Sequence, residues 1–143
     1  MTSSPQQDIT QTLRLTQAQI LTLNSNPFII VPAEAGFVNV FNRATLSYIY
    51  KNTPFTNVDN LLSFVLIPPF GSPVNVSNSL NALNILGITQ STSISFEAVN
   101  PYNAILSNSS NSSIALTISG SNPLGGDPGS SLSINFTYSI FQL

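Results

Sequence analysis

The clearest signal in the chain is a period-two alternation of apolar and polar residues in its last third. Ile94, Phe96 and Ala98 alternate with Ser93, Ser95 and Glu97. Ile114, Leu116 and Ile118 alternate with Ser113, Ala115, Thr117 and Ser119. Leu132, Ile134, Phe136, Tyr138 and Ile140 alternate with Ser131, Ser133, Asn135, Thr137 and Ser139. Successive side chains of a strand point to opposite faces, so this pattern predicts antiparallel strands with one packed and one wet face. Upstream, Phe28-Ile29-Ile30-Val31 closed by Pro32 and Leu61 to Ile67 ended by Pro68-Pro69 read as buried strands. Phe37 to Phe41 is rich in β-formers, and Thr45 to Tyr50 places Leu46, Tyr48 and Tyr50 on one face. About six to eight strands at this spacing predict an all-β fold, an antiparallel β-sandwich of jelly-roll type.

Two short helices are expected beside the strands. Thr16-Gln17-Ala18-Gln19 fits a capping box, with Leu15 and Ile20 at the two positions of a hydrophobic staple. Leu80, Leu83 and Leu86 recur at helical spacing over Ser79 to Leu86, with Gly87 placed to end a helix there. The stretch from Gly120 to Gly129 (GSNPLGGDPG) is a dense block of turn chemistry. Residues 1–12 are mostly Ser, Thr and Gln and read as a flexible N-terminal arm, leaving residues 13–143 as one β-sandwich domain. No interior linker or repeat of 20–50 residues stands out.

Composition narrows the function classes sharply. Three Lys and Arg against five Asp and Glu, a net charge of −2, cannot build a phosphate track, so nucleic acid is not an expected partner. The absence of His and Cys removes the usual general base, the commonest metal ligand, the thiolate nucleophile and any disulfide. Residues Met1 to Gln11 lack a basic patch followed by an apolar run, so no secretory signal is expected. The longest apolar stretch, around Leu61 to Pro69, is too short to span a bilayer, and no membrane partner is expected.

Only 6% of residues are charged, while Ser, Thr and Asn make up roughly a third of the chain. Edge strands usually resist pairing with other chains through charge, especially Lys. A sandwich with so little charge is expected to cover an edge with another subunit, which points to a symmetric homo-oligomer. A surface of hydroxyls and amides is also insensitive to salt and pH, which suits a protein that persists outside a cell.

The strongest enzymatic candidates are the carboxylates Asp8, Glu34, Asp59, Glu97 and Asp127, because glycoside hydrolysis needs two at a set separation. No spacing links any two of them. Asp127 sits in a Gly/Pro turn where a local Asx bond is its usual role. Serine chemistry lacks both a histidine and a Gly-x-Ser-x-Gly elbow. Asn57, Asp59 and Asn60 carry oxygens suited to calcium but not in EF-hand order, and a solvated loop is the simpler reading. The Asn-x-Ser/Thr acceptors at Asn75, Asn108, Asn111 and Asn135 are expected by chance at this composition. Gly125-Gly126 is read as a turn, because no helix start or Lys follows it. No catalytic, cofactor-binding or metal-binding residue is therefore assigned, and the chain is not expected to be an enzyme.

Several stretches resemble a family of small virion proteins of tailed bacteriophages. Leu15-Thr16-Gln17-Ala18-Gln19-Ile20-Leu21-Thr22-Leu23, followed by Pro27-Phe28-Ile29-Ile30-Val31-Pro32-Ala33, is similar to that family's "LTxxQIxxL…P…LVPAPG" opening. Leu46-Ser47-Tyr48 and Phe55-Thr56-Asn57 resemble its "L-x-Y…Y-T-N" pattern. Asn122-Pro123-Leu124-Gly125-Gly126-Asp127 and the strand to Tyr138 resemble its "NPxGGD…Y" close. Glu34-Ala35, Phe37 and Phe55 depart from the pattern, where Pro-Gly, Lys and Tyr are usual. The resemblance implies a jelly-roll-like capsid cement or decoration subunit, commonly a trimer, on the outer capsid surface against the major capsid protein, made in the host cytoplasm. A head-fibre, tail-fibre or receptor-binding β-domain is the alternative within the virion. Further off stand a small jelly-roll enzyme, disfavoured by the missing histidines, and a carbohydrate-binding module, disfavoured by the missing Trp. On the cement reading, residues 1–12 are expected to order on a neighbouring subunit or on the capsid.

Overall fold

The structure, a computed structural model, describes residues 7–99 and 111–142. Its strands are β1 (Gln7–Thr16), β2 (Phe28–Val31), β3 (Phe37–Ile49), β4 (Phe55–Thr56), β5 (Leu61–Ile67), β6 (Val74–Asn75), β7 (Leu80–Asn81), β8 (Thr92–Glu97), β9 (Ser113–Ile118), β10 (Leu124–Gly125) and β11 (Ser131–Gln142). A single-turn helix, α1 (Gln17–Ile20), follows β1, and a 3-10 turn spans Ala82–Asn84. One sheet has the order β1-β11-β3-β8 and the other β2-β9-β5-β6, with β7 sharing the outer edge of β5. A two-stranded ribbon joins β10 to β4. Every pairing is antiparallel.

Numbering only the eight longer-range strands in chain order (β1, β2, β3, β5, β6, β8, β9, β11), one sheet reads first, eighth, third, sixth. The other reads second, seventh, fourth, fifth. Consecutive strands therefore cross from sheet to sheet everywhere except at the β5–β6 hairpin. That is the double Greek key of a jelly roll.

The core fills the space between the sheets. Phe64 of β5 stacks on Phe41 of β3 at 4.9 Å between ring centroids and meets Phe96 of β8 edge-on at 5.2 Å, so aromatic contacts tie one sheet to the other. Leu132, Ile134 and Phe136 on β11 and Leu46 and Tyr48 on β3 are buried, as their alternation predicts. The apolar positions of β3 change phase part-way, from Phe41 to Ala44, Leu46 and Tyr48. A bulge explains this: Thr137 lies opposite Arg43 and Tyr138 opposite Phe41, so Asn42 is the extra residue. One additional residue flips the parity of the strand, which lets Phe41 and Ala44 both face the core. The Asn42 amide is not wasted, since its Nδ2 donates to Ser139 Oγ at 2.9 Å.

The capping box forms as expected. Gln19 N–H donates to Thr16 Oγ1, and Thr16 N–H donates to Gln19 Oε1 at 2.9 Å. Both staple residues, Leu15 and Ile20, are fully buried.

Three expectations are corrected. Gln7–Thr12, expected as part of a flexible arm over 1–12, belong to β1 and pair continuously with β11. The backbone of an edge strand needs little side-chain burial to pair, so a polar sequence can form one. Residues 1–6 lie outside the described residues. The helix expected over Ser79–Leu86 is instead β7 and a 3-10 turn: Leu80 pairs with Leu62, and Asn81 Oδ1 accepts from Leu83 N–H at 3.0 Å. Leu83 is left exposed, so its helical spacing does not reflect one buried face. Phe28–Val31 is an edge strand, with Ile29 44% exposed, rather than a fully buried one.

The Tyr48 hydroxyl is buried and makes no well-formed hydrogen bond; burial pushes the phenols of Tyr48 and Tyr138 up from their ordinary value, and for Tyr48 the Ser130 side chain opposes that shift in part. Tyr48→Phe is therefore expected to be neutral or to stabilise by up to about 1 kcal/mol, whereas Phe64→Ala loses about 3–5 kcal/mol, both read by urea unfolding. With phenol pKa values raised in the folded state, their protonated form favours folding below about pH 10 and the fold weakens as pH rises beyond it. Thermal melts across pH are expected to show that alkaline loss, with Tyr48→Phe reducing it.

Candidate functional site

Parts of the stretches that carry the family resemblance meet at α1 and the β9–β11 connection. Gln17, in the first turn of α1, donates through Nε2 to the Gly125 carbonyl at 2.9 Å. Asn122 Oδ1 accepts from the backbone N–H groups of Asn24 at 2.8 Å and Ser25 at 3.1 Å, and its Nδ2 donates to Ser25 Oγ. Asn24 Nδ2 in turn donates to the Ile118 carbonyl at 2.8 Å. From the β4 side, Asn57 Nδ2 reaches the Asn122 carbonyl and Ser121 Oγ, both at 2.8 Å. Tyr48 and Phe55 pack with ring centroids 6.2 Å apart.

Two glycines make this joint possible. Gly125 and Gly126 have φ of +72° and +74°, a region that side chains with Cβ rarely adopt. A Cβ on Gly126 would also collide with the Phe55 ring. Asp127 accepts from Gly129 N–H at 2.7 Å, the Asx bond expected of it. The joint is thus built from neutral amides, hydroxyls and backbone, and its chemistry is positional: it sets the path of the chain.

The carboxylates are used locally. Asp8 accepts from Ser139 Oγ at 2.7 Å on the outer face of β1, and Asp59 accepts from Asn81 Nδ2 at 3.0 Å. Glu34 is exposed in the turn before β3, and Glu97 is exposed on β8 opposite Arg43. Among the described residues, no three of His, Cys, Asp and Glu stand together as metal ligands. Of the loop residues Asn57, Asp59 and Asn60, Asn57 Nδ2 donates to Ser121 Oγ and the Asn122 carbonyl, and Asn60 Oδ1 lies against Gly120. Asn108 lies outside the described residues. Among the described residues, no helix is long and apolar enough to cross a membrane.

Surface features remain. An open cleft of about 440 Å³ is lined by Phe55, Val58, Asp59, Leu83 and Ser121 beside the joint, and a smaller one of about 300 Å³ by Gln19, Thr22, Pro27 and Ile29. Phe70, at the tip of the β5–β6 hairpin, is 90% exposed. Sequence reasoning passed over it, although its setting between Pro68-Pro69 and Gly71-Ser72-Pro73 carries the signal: a turn has no core to give an aromatic ring.

The chain has structural neighbours of low identity. The capsid asymmetric unit of cyanophage Pam1 contains a chain with TM-score 0.46 and 10% identity, over 96% of this chain and 86% of that one. The capsid of Ralstonia phage GP4 contains one with TM-score 0.44 and 12% identity, over 99% and 87%. A chain in the acid-stable capsid of Helicobacter pylori bacteriophage KHP30 follows with TM-score 0.33 and 10% identity, over 97% and 98%. No family model and no curated protein matches the sequence.

The joint is open to a direct check. Asn122→Ala strips partners from the Asn24 and Ser25 N–H groups and is expected to cost about 1–3 kcal/mol by chemical denaturation. Gly126→Ala, strained in φ and against Phe55, is expected to cost at least as much, while Leu124→Ser on the exposed side of the same loop stays within about 0.5 kcal/mol.

Proposed function

We propose that this chain is a non-enzymatic structural protein of a tailed-phage virion. Its role is that of a capsid cement or decoration subunit, bound to the outer capsid surface as a homo-oligomer and stabilising capsomer junctions. The observation that carries the reading is the joint itself. Of the stretches resembling the virion family, the first and the Phe55–Asn57 stretch both bond to the Asn122–Asp127 turn, through Gln17 and Asn57, and Tyr48 packs against Phe55. Motif residues that depend on each other in this way support a shared architecture rather than separate coincidences of spacing.

The surface accords with an adhesive role. Few charges stand on it to be titrated or screened, so its contacts would hold over a wide range of salt and pH. Exposed apolar side chains at Ile29, Leu61, Phe70, Val74 and Leu124 offer area for burial against partners. The mechanism is mechanical: a subunit that straddles two major capsid proteins buries area across their junction and opposes the pressure of packaged DNA. Several weak contacts on one oligomer add up through effective concentration. For the family pattern, that oligomer is a trimer at the symmetry axes.

The test is co-sedimentation of the purified protein with undecorated capsids, beside its solution mass by light scattering. An oligomer that binds saturably and raises the temperature at which capsids release DNA is the expected result. A protein that ignores capsids overturns the reading in favour of a fibre or receptor-binding domain, which the exposed Phe70 would then serve.

A further inference from the structure

The four-stranded sheet ends at β1 on one side and β8 on the other, and the two edges differ. β1 is long and regular: all ten residues from Gln7 to Thr16 pair with β11 without a register shift. Its outer edge pairs with no strand among the described residues, and it carries no Pro, no Lys and no bulge. Natural sheets protect such an edge with Pro, bulges or charged side chains, by covering it or by pairing it, and the two charges of this strand, Asp8 and Arg14, are opposite in sign.

We propose that β1 pairs with β1 of a second copy of this chain, antiparallel about a two-fold axis at Gln11. The sequence of the strand, Gln7-Asp8-Ile9-Thr10-Gln11-Thr12-Leu13-Arg14-Leu15, is complementary to itself about that point. Asp8 of each copy falls opposite Arg14 of the other, Ile9 opposite Leu13, and Thr10 opposite Thr12. Asp8 and Arg14 are the only charged residues of the strand. Any other antiparallel register leaves them unmatched, and a parallel in-register pairing sets Asp8 against Asp8.

The register also satisfies the backbone. It opposes residues of the same parity, so the N–H and C=O groups that point away from β11 in one copy meet those of the other. Side chains on a common face then meet as well. Asp8 and Arg14 lie on the outer face, bonded there to Ser139 Oγ at 2.7 Å and Ser131 Oγ at 2.9 Å. Ile9 and Leu13 are partly buried against the core and would extend that core across the axis. Exposed ion pairs contribute little by themselves. The strand backbone and apolar pairs supply the affinity, and the charges choose the register.

This contact is isologous and stands apart from the capsid reading. It cannot occur within a three-fold ring, but it can link one trimer to the next. The test exploits a chain without cysteine. Directly opposed residues in an antiparallel pair bring Cβ atoms to about 4.5–5.5 Å, close to what a disulfide needs. Mild oxidation of Gln11→Cys is expected to give a covalent dimer on a non-reducing denaturing gel, while Ser95→Cys on β8 gives none. Asp8→Lys and Arg14→Glu are each expected to weaken association about tenfold in sedimentation velocity. An equimolar mixture of the two restores it, because the mixed pair matches both charges. A monomer at all concentrations, or an oligomer that Gln11→Cys does not cross-link, overturns the proposal. A cross-linked dimer that ignores capsids leaves it standing and removes only the cement role.

Discussion

A chain with three cations and five anions has to satisfy almost all of its polar backbone and surface with neutral groups. That constraint runs through the structure. Where other sandwiches place Lys and Glu on the wet face, this one sets hydroxyls in cross-strand pairs: Thr10 with Thr137 at 2.9 Å and Ser47 with Ser93 at 3.0 Å. Each such bond adds about 1 kcal/mol or less, and none depends on ionisation. Stability then rests on the apolar layer between the sheets and on completeness of hydrogen bonding rather than on ion pairs.

The same economy shapes the joint between α1 and the β9–β11 connection. Asn122 does what a charged clamp does elsewhere, accepting two backbone N–H groups with one oxygen and donating with its amide nitrogen. Asn57 and Gln17 reach the same loop from β4 and α1. The family-like motifs are therefore architectural: they fix how the chain turns between sheets. The Phe70 tip and the β1 edge stand apart from that joint.

Much of the fold was legible because alternation is a local property. Leu132, Ile134 and Phe136, or Leu46 and Tyr48, declare a buried face within a few residues, and the Thr16–Gln19 box declares a helix start within four. The failures were of another kind. Leu80, Leu83 and Leu86 have helical spacing, but Leu80 is claimed by pairing with Leu62 and Leu83 is left in solvent. Gln7–Thr12 looked too polar to be ordered, yet an edge strand is held by its backbone, which composition does not report. The candidate site was legible only as motifs: Asn122 and Asn57 were visible as residues, and their contact was not.

The sequence by itself determined the all-β class, the buried faces, the turn chemistry of Gly120–Gly129 and the absence of histidine and cysteine. Those follow from side-chain type and short-range period. Only the tertiary structure decided which strands are neighbours, that Asn42 bulges to keep Phe41 and Ala44 both inward, and that β1 stands at the end of a sheet among the described residues. Such features depend on residues far apart in the chain, as with Thr10 and Thr137, and a pattern a few residues long carries no record of which distant strand will lie alongside it.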